Sequence, residues 1–208
     1  MKPTKSPRKP KGSGHLRRSE ILDVAQKIFA EEGYEGATVR KIAEKVGVSS
    51  TAIYLHFPDK RAMLLEIAAQ SLGPLLTEAR VIAADRGVDA RQRAAFMMQA
   101  YMLFARQNPS AYAVLMDDGQ RRLALSGAPA GEILTAYHRT FLGVITELGE
   151  QNRLHGAPPH VVAQTLWAGC HGVISLIQIN PSLQFAPFED LRDTMIDGLI
   201  SGLIDLRR

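Results

Sequence analysis

From Arg17 to the end of the chain, apolar residues recur every three or four positions, and nowhere do they alternate with polar ones over a strand's length. Such spacing lines up one face of an α-helix, whereas a half-buried strand needs period two. Ile21, Leu22, Ala25, Ile28 and Phe29 form the first stripe, which Gly33 is expected to end. Further helices are expected at about 39–46, 50–57, 59–84, 89–107, 109–116, 130–153, 159–179 and 188–206. Gly87, Asn108-Pro109, Ser126 to Pro129, Pro158-Pro159 and Asn180 to Pro187 punctuate them, and Gly73-Pro74 is expected to bend the longest. No repeat of 20–50 residues is visible. The fold class is all-α.

The chain of 208 residues has room for one sizeable domain, or a small one joined to a larger. Apolar residues at 46% and charged residues at 22% are those of a folded globular protein. No apolar run approaches the roughly 18 to 20 residues that a membrane span needs. The Lys- and Pro-rich start has no apolar stretch behind it and does not read as a secretory signal. A lone cysteine, Cys170, leaves no internal disulfide framework and no Cys-based zinc site. A cytoplasmic protein without a membrane partner is expected.

Charge is unevenly placed. All eight lysines lie in the first 60 residues, and residues 1–61 hold 13 Lys and Arg against 7 Asp and Glu. Residues 62–208 hold 12 against 14. A basic module ahead of a slightly acidic one fits a polyanion partner, and it also fits a merely solvated surface. Residues 1–16 carry three prolines, two glycines and five basic residues without an acid, and read as a disordered basic arm.

The stretch ATVRKIAEKVGVSSTAIYLHFPDK, Ala37 to Lys60, carries the chemistry. Thr38 is a good N-cap, and Val39, Ile42, Ala43 and Val46 give a short helix its buried side. Gly47 suits a left-handed stop, and Ser49 caps a second short helix three residues on. Two short helices joined by a Gly-containing turn make a helix-turn-helix. At about 100° per residue, Ser49, Ile53 and Phe57 share the inner face of the second helix. Thr51, Tyr54 and Leu55 point the other way, flanked by Ser50 and Ala52. An outward Tyr and Leu among hydroxyl groups suit a major groove, where they meet base edges, phosphates and thymine methyls. Arg40 can reach a base or phosphate, and Lys60 with the start of the next helix is placed for a phosphate. A three-helix packing unit with an incidental exposed Tyr fits the same pattern.

The run F-A-x-x-G-Y-x-x-A-T-V-R-K-I-A-x-x-x-G-V-S-x-x-x-I-Y-x-H-F-x-x-K, from Phe29 to Lys60, resembles the DNA-binding region of the tetracycline-repressor (TetR) family. The resemblance covers roughly residues 17–65. It implies a homodimeric, all-helical transcriptional regulator, usually a repressor that a small molecule releases from a pseudo-palindromic operator in double-stranded DNA. The implied domains are a DNA-binding domain at 17–60 and a helical ligand-binding and dimerisation domain at 61–208. The family's DNA contacts carry over to Thr38, Arg40, Ser50, Thr51, Ala52, Tyr54, His56 and Lys60.

The rest of the chain resembles the family more weakly. Leu166 to Val173 is similar to a Trp-x3-His-Gly motif of one subset of its C-terminal domains, with Trp167 and His171 on one helical face. Gly169 and Gly172, and then Gly198 and Gly202, notch two apolar helices that suit a four-helix bundle across a two-fold axis. Val173, Leu176, Met195 and Leu199 belong to the same expected interface, with close packing inside one subunit as the alternative reading of the glycines. The helix at 89–107 is apolar nearly all round and should lie centrally. Met97, Met98, Tyr101, Met102 and Phe104 offer pliable walls for an apolar or aromatic effector, completed by Tyr137, His138, Phe141, Trp167 and His171. Core packing accounts for any of these singly.

Enzymatic readings find no support. There is no nucleophile elbow, Gly-rich phosphate loop or His-Glu-x-x-His site, so no catalytic residue, metal or cofactor is expected. Asp117-Asp118 reads as a solvated turn, and Cys170 as a small core residue. Multidrug-like compounds, acyl thioesters and aromatic metabolites all remain open as effectors.

Overall fold

The computed structural model describes residues 14–116, 129–179 and 182–206, and among them nine helices follow one another without a strand. They are α1 (Gly14–Gly36), α2 (Val39–Val46), α3 (Ser50–Tyr54), α4 (Lys60–Ala84), α5 (Ala90–Gln107), α6 (Pro109–Met116), α7 (Pro129–Glu150), α8 (Pro159–Ile179) and α9 (Phe188–Leu203). The first 13 residues of the expected arm and the Asp117-Asp118 pair lie outside the described residues. Helix α1 begins at Gly14, inside the segment read as an arm. Its stripe is continuous to Phe29, and Gly33 breaks the helical geometry at φ 70 and ψ 178 before the helix resumes to Gly36.

Local chemistry sets most of the other ends. Thr38 Oγ1 accepts from Lys41 N at 3.2 Å to start α2, and Gly47, left-handed at φ 77, ends it. Ser49 Oγ accepts from Ala52 N at 3.2 Å to start α3, so Ser49 is an exposed cap and not the inner-face residue expected from angle alone. Helix α3 is also shorter than expected: regular structure stops at Tyr54, although Phe57 N still reaches Ile53 O at 3.0 Å. Asp59 and Asp89 cap α4 and α5. Helix α4 runs unbroken through Gly73-Pro74 for 25 residues, about 37 Å. Helices α7 and α9 end a few residues before expectation. Asn152 turns the chain at φ 53, and Ile204 is extended and pairs antiparallel with Leu154.

Ile21, Phe29, Ile42, Ile53, Phe57 and Met63 are essentially inaccessible and close the small module of α1–α3 against the start of α4. Beyond it, α4 packs against α7, α5 and α6, so this single helix belongs to both parts. Helix α5 is central as expected, yet Phe96 and Leu103 leave one of its faces exposed. Helix α8 is long and apolar enough, by length and composition, to cross a membrane. This departs from the expectation that no apolar run approaches a span, because scattered His, Gln, Thr and Ser interrupt the apolar residues of α8 without adding charge. In the fold, Val162, Leu166, Cys170 and Ile174 point inward from α8.

Candidate nucleic-acid interface and effector cavity

Capping and core contacts hold α2 and α3 firmly, and their outer faces carry what the core does not use. Tyr54 is 54% exposed and Leu55 82%, while Ile53 between the two turns is fully buried. Thr51 and Arg40 are exposed, and Ser50, Ala52 and His56 are half-buried beside them. Thr38 is exposed too, and because its oxygen accepts from Lys41 N, its hydroxyl proton stays free to donate. Seven of the eight residues expected at DNA are therefore exposed or half-buried on α2, α3 and their flanks.

Lys60 is placed otherwise. Its Nζ donates to Tyr34 O at 2.7 Å and Ala37 O at 3.3 Å, and lies 4.1 Å from the centroid of the Tyr34 ring. Its charge clamps the α1–α2 connection to the start of α4. Arg18, which sequence reasoning missed, does the same on the other side. Its guanidinium lies 4.1 Å from the Phe57 ring centroid, donates to His56 O at 3.0 Å and pairs with Glu66 of α4. The chain after α3 is thus fixed from both flanks.

In the larger part, six rings form a closed circuit. Tyr101 neighbours Tyr112 and Tyr137 at 6.1 and 5.7 Å between centroids, and Tyr112 neighbours His171 at 5.8 Å. His171 stacks on Trp167 at 6.0 Å, Trp167 meets His138 edge-on at 4.6 Å, and His138 closes on Tyr137 at 6.1 Å. The Tyr112 hydroxyl bonds His171 Nδ1, and Ser175 Oγ lies 3.3 Å from His171 Nε2. A neutral imidazole carrying its proton on Nε2 satisfies both contacts. Tyr137 donates its hydroxyl to Met97 O at 2.7 Å. The Tyr101 hydroxyl and Trp167 Nε1 are both buried and neither meets a partner at full hydrogen-bonding geometry, although Trp167 and Tyr112 lie close enough to the hydroxyl to bond it loosely. Burial pushes the pKa of both Tyr101 and Tyr137 well above the usual tyrosine value.

Beside the circuit, between α7 and α8, lies a cavity of about 240 Å³ lined by His138, Phe141, Leu142, His160, Ala163, Gln164 and Trp167. The expected effector residues divide accordingly. His138, Phe141 and Trp167 line the cavity, and Tyr101, Tyr137 and His171 stand behind it in the circuit. Met97, Met98, Met102 and Phe104 are core residues that do not line it. His160 and Gln164 were missed, although they precede Trp167 by seven and three residues and share its side of the helix. Tyr112 was missed because nothing local links it to His171, 59 positions away.

The glycines on α8 and α9 divide too. A Cβ on Gly169 would lie 2.4 Å from Leu199 Cδ1 and 3.1 Å from Met195 Sδ, so this glycine serves the α8–α9 crossing inside the subunit. Gly172, Gly198 and Gly202 face open space. Leu176 is exposed, while Val173, Met195 and Leu199 are half-buried and packed on the subunit's own core.

The architecture defines a class: a helix-turn-helix module carried on a larger helical domain. Residues 21–67 match the bacterial regulatory proteins of the tetR family, and residues 94–201, just over half of the chain, match the tetracyclin repressor-like C-terminal domain. The chain belongs to the TetR family. It is 32% identical over 130 residues to the HTH-type transcriptional repressor KstR2 of Rhodococcus jostii (strain RHA1), covering 62% of this chain and 63% of that protein. It is 53% identical over 55 residues to the HTH-type transcriptional repressor AcnR of Corynebacterium diphtheriae, covering 26% and 29%. The chain thus spans less than two thirds of the length of these relatives. Its fold matches the transcriptional regulator FadR from Bacillus subtilis, crystallised in complex with stearoyl-CoA, with a TM-score of 0.68, 21% identity, and 88% and 98% of the two chains covered.

Proposed function

We propose that this protein is a sequence-specific transcriptional repressor that a small apolar or aromatic effector releases from its operator. The observation that carries the reading is the outer face of α3, where Tyr54 and Leu55 stand exposed beside Thr51 and Arg40 with no packing role left to fill. Two such faces, about 34–36 Å apart in a homodimer, reach successive major grooves of a pseudo-palindrome. Residues 1–16 add sequence-independent affinity through their charge, residues 17–60 bind DNA, and residues 61–208 bind the effector and the second subunit. The dimer face is the uncharged outer side of α8 and α9 around Gly172, Leu176, Gly198 and Gly202, with Val173, Met195 and Leu199 at its base. Work on DNA makes the protein cytoplasmic.

The effector enters the cavity against His138, Phe141 and Trp167, and the Trp167–His171 pair supports membership of the subset that carries that motif. Helix α4 then carries the change, because one helix packs in both parts; a ligand shifts it only if it prefers the released conformation. The protein binds and does not catalyse. Burial pushes the Cys170 thiol up to about 12, far from a nucleophile's range.

The test is selection of operators from random duplex DNA at near-physiological salt. An enriched pseudo-palindrome whose specific binding Tyr54→Ala weakens supports the reading. Specific affinity unchanged in that variant sinks the assignment of α3.

A further inference from the structure

We infer that α3 reads its half-site through thymine methyl groups, with Leu55 and Thr51 as the reading side chains; this rests on the DNA-binding reading above. Before Val81, the large apolar side chains that stand exposed among the described residues are Tyr54 and Leu55, both on this face. Leu55 follows the last residue of α3 with helical angles, φ −68 and ψ −21, so it lies one turn beyond Thr51 on the side opposite buried Ile53. The core has no use for the isobutyl group, since Ile53 and Phe57 already fill the inner side.

The outer surface of this helix is also notable for what it is made of. Ser50, Thr51, Ala52, Tyr54 and Leu55 include no amide, guanidinium, ammonium or carboxylate. Those are the groups that pair bidentately with guanine or adenine, or accept from cytosine, in the major groove. What remains is single hydroxyl contacts and apolar contact, and the apolar feature of the groove is the C5-methyl of thymine. Four residues of helix advance about 6 Å, close to two base-pair steps at about 3.4 Å each. Leu55 and Thr51 Cγ2 therefore address methyls two steps apart.

The experiment starts from the selected operator and replaces each thymine in turn with deoxyuridine, which removes only the methyl. One or two positions per half-site are expected to weaken binding by the full chain about fourfold each. Leu55→Ser is expected to abolish the methyl dependence at one of them, and Thr51→Ser, which keeps the hydroxyl, at another. Both residues are exposed, and unchanged circular dichroism and melting temperature confirm that the variants fold. If a uracil-only operator is bound as tightly as the original, the inference is overturned while sequence-specific binding stands. Methyl dependence that persists in both variants overturns it as well, by giving the reading to other side chains. Failure to enrich any site, with binding insensitive to sequence, overturns the DNA-binding reading and this inference together.

Discussion

Lys60 reaches back across the helix-turn-helix to the backbone oxygen of Tyr34 at 2.7 Å, with its charge over that residue's ring. Two of its three donors are thereby committed to Tyr34 and Ala37. Lys60→Met is expected to destabilise the protein by about 1–2 kcal/mol, combining loss of charge-assisted hydrogen bonds with loss of the cation–π contact. The salt dependence of operator binding should keep its slope. A slope lowered by about 1 with no change in melting temperature would put the ammonium on a phosphate instead.

Two buried tyrosines in the aromatic circuit make a controlled comparison. Tyr137 donates to Met97 O, whereas the Tyr101 hydroxyl meets Trp167 and Tyr112 only loosely. Tyr137→Phe should cost about 1 kcal/mol, and Tyr101→Phe clearly less, because the hydroxyl it removes is desolvated and only loosely bonded. Urea midpoints for the two variants give the answer. Equal losses would mean that Tyr101 is hydrogen-bonded in solution.

What the sequence made legible follows from how far its signals reach. Thr38, Gly47 and Ser49 hold the caps that their residue types call for, because a cap depends on three or four neighbours. Periodicity likewise found Ile53 inside and Tyr54 outside. It says which side chains are buried, and not which of them meet. Met97, Met102 and Phe104 were expected in an effector wall and are core, while Tyr112 joins His171 across 59 positions with no local sign. Lys60 was expected to face a phosphate, and spacing alone does not reveal the carbonyls of Tyr34 and Ala37 folded back beneath it.

Glycine substitutions separate packing within a subunit from packing between subunits. Gly169→Ala drives a methyl into Leu199, costing about 1 kcal/mol of stability once the gain in helix propensity is set against the overpacking. At Gly172 and Gly198 an added Cβ meets nothing within the subunit, so the side chains of Gly172→Leu and Gly198→Leu start outward into open space. They are expected to raise the dimer dissociation constant at least about tenfold, the effect of losing about 1.4 kcal/mol of close packing. Sedimentation equilibrium reads this directly. A dimer indifferent to both leucines does not use this face.

Arg93 is 2% exposed, and its guanidinium is shared among Ala83 O at 2.8 Å, Val88 O at 3.1 Å and Glu147 Oε1 at 2.6 Å. Glu147 also pairs with Arg86, so the turn between α4 and α5 is tied to α7 through one carboxylate. Burial acts to raise the pKa of Glu147, but hydrogen bonds from Arg93 and Arg86 outweigh it and hold the group below its usual value of 4.5. A native pKa below the unfolded one means that the stabilisation is complete above the unfolded value and fades as pH falls through the native one. Glu147→Gln should therefore cost about 1.5–3 kcal/mol at neutral pH, leaving Arg93 buried with only carbonyl partners. The gap between wild type and variant should narrow as pH falls through the lowered native value, where the wild-type carboxylate is itself becoming protonated. Denaturant titrations across that range measure it. A gap that stays constant would mean that Glu147 holds Arg93 by shape and neutral hydrogen bonding, and that its charge contributes nothing.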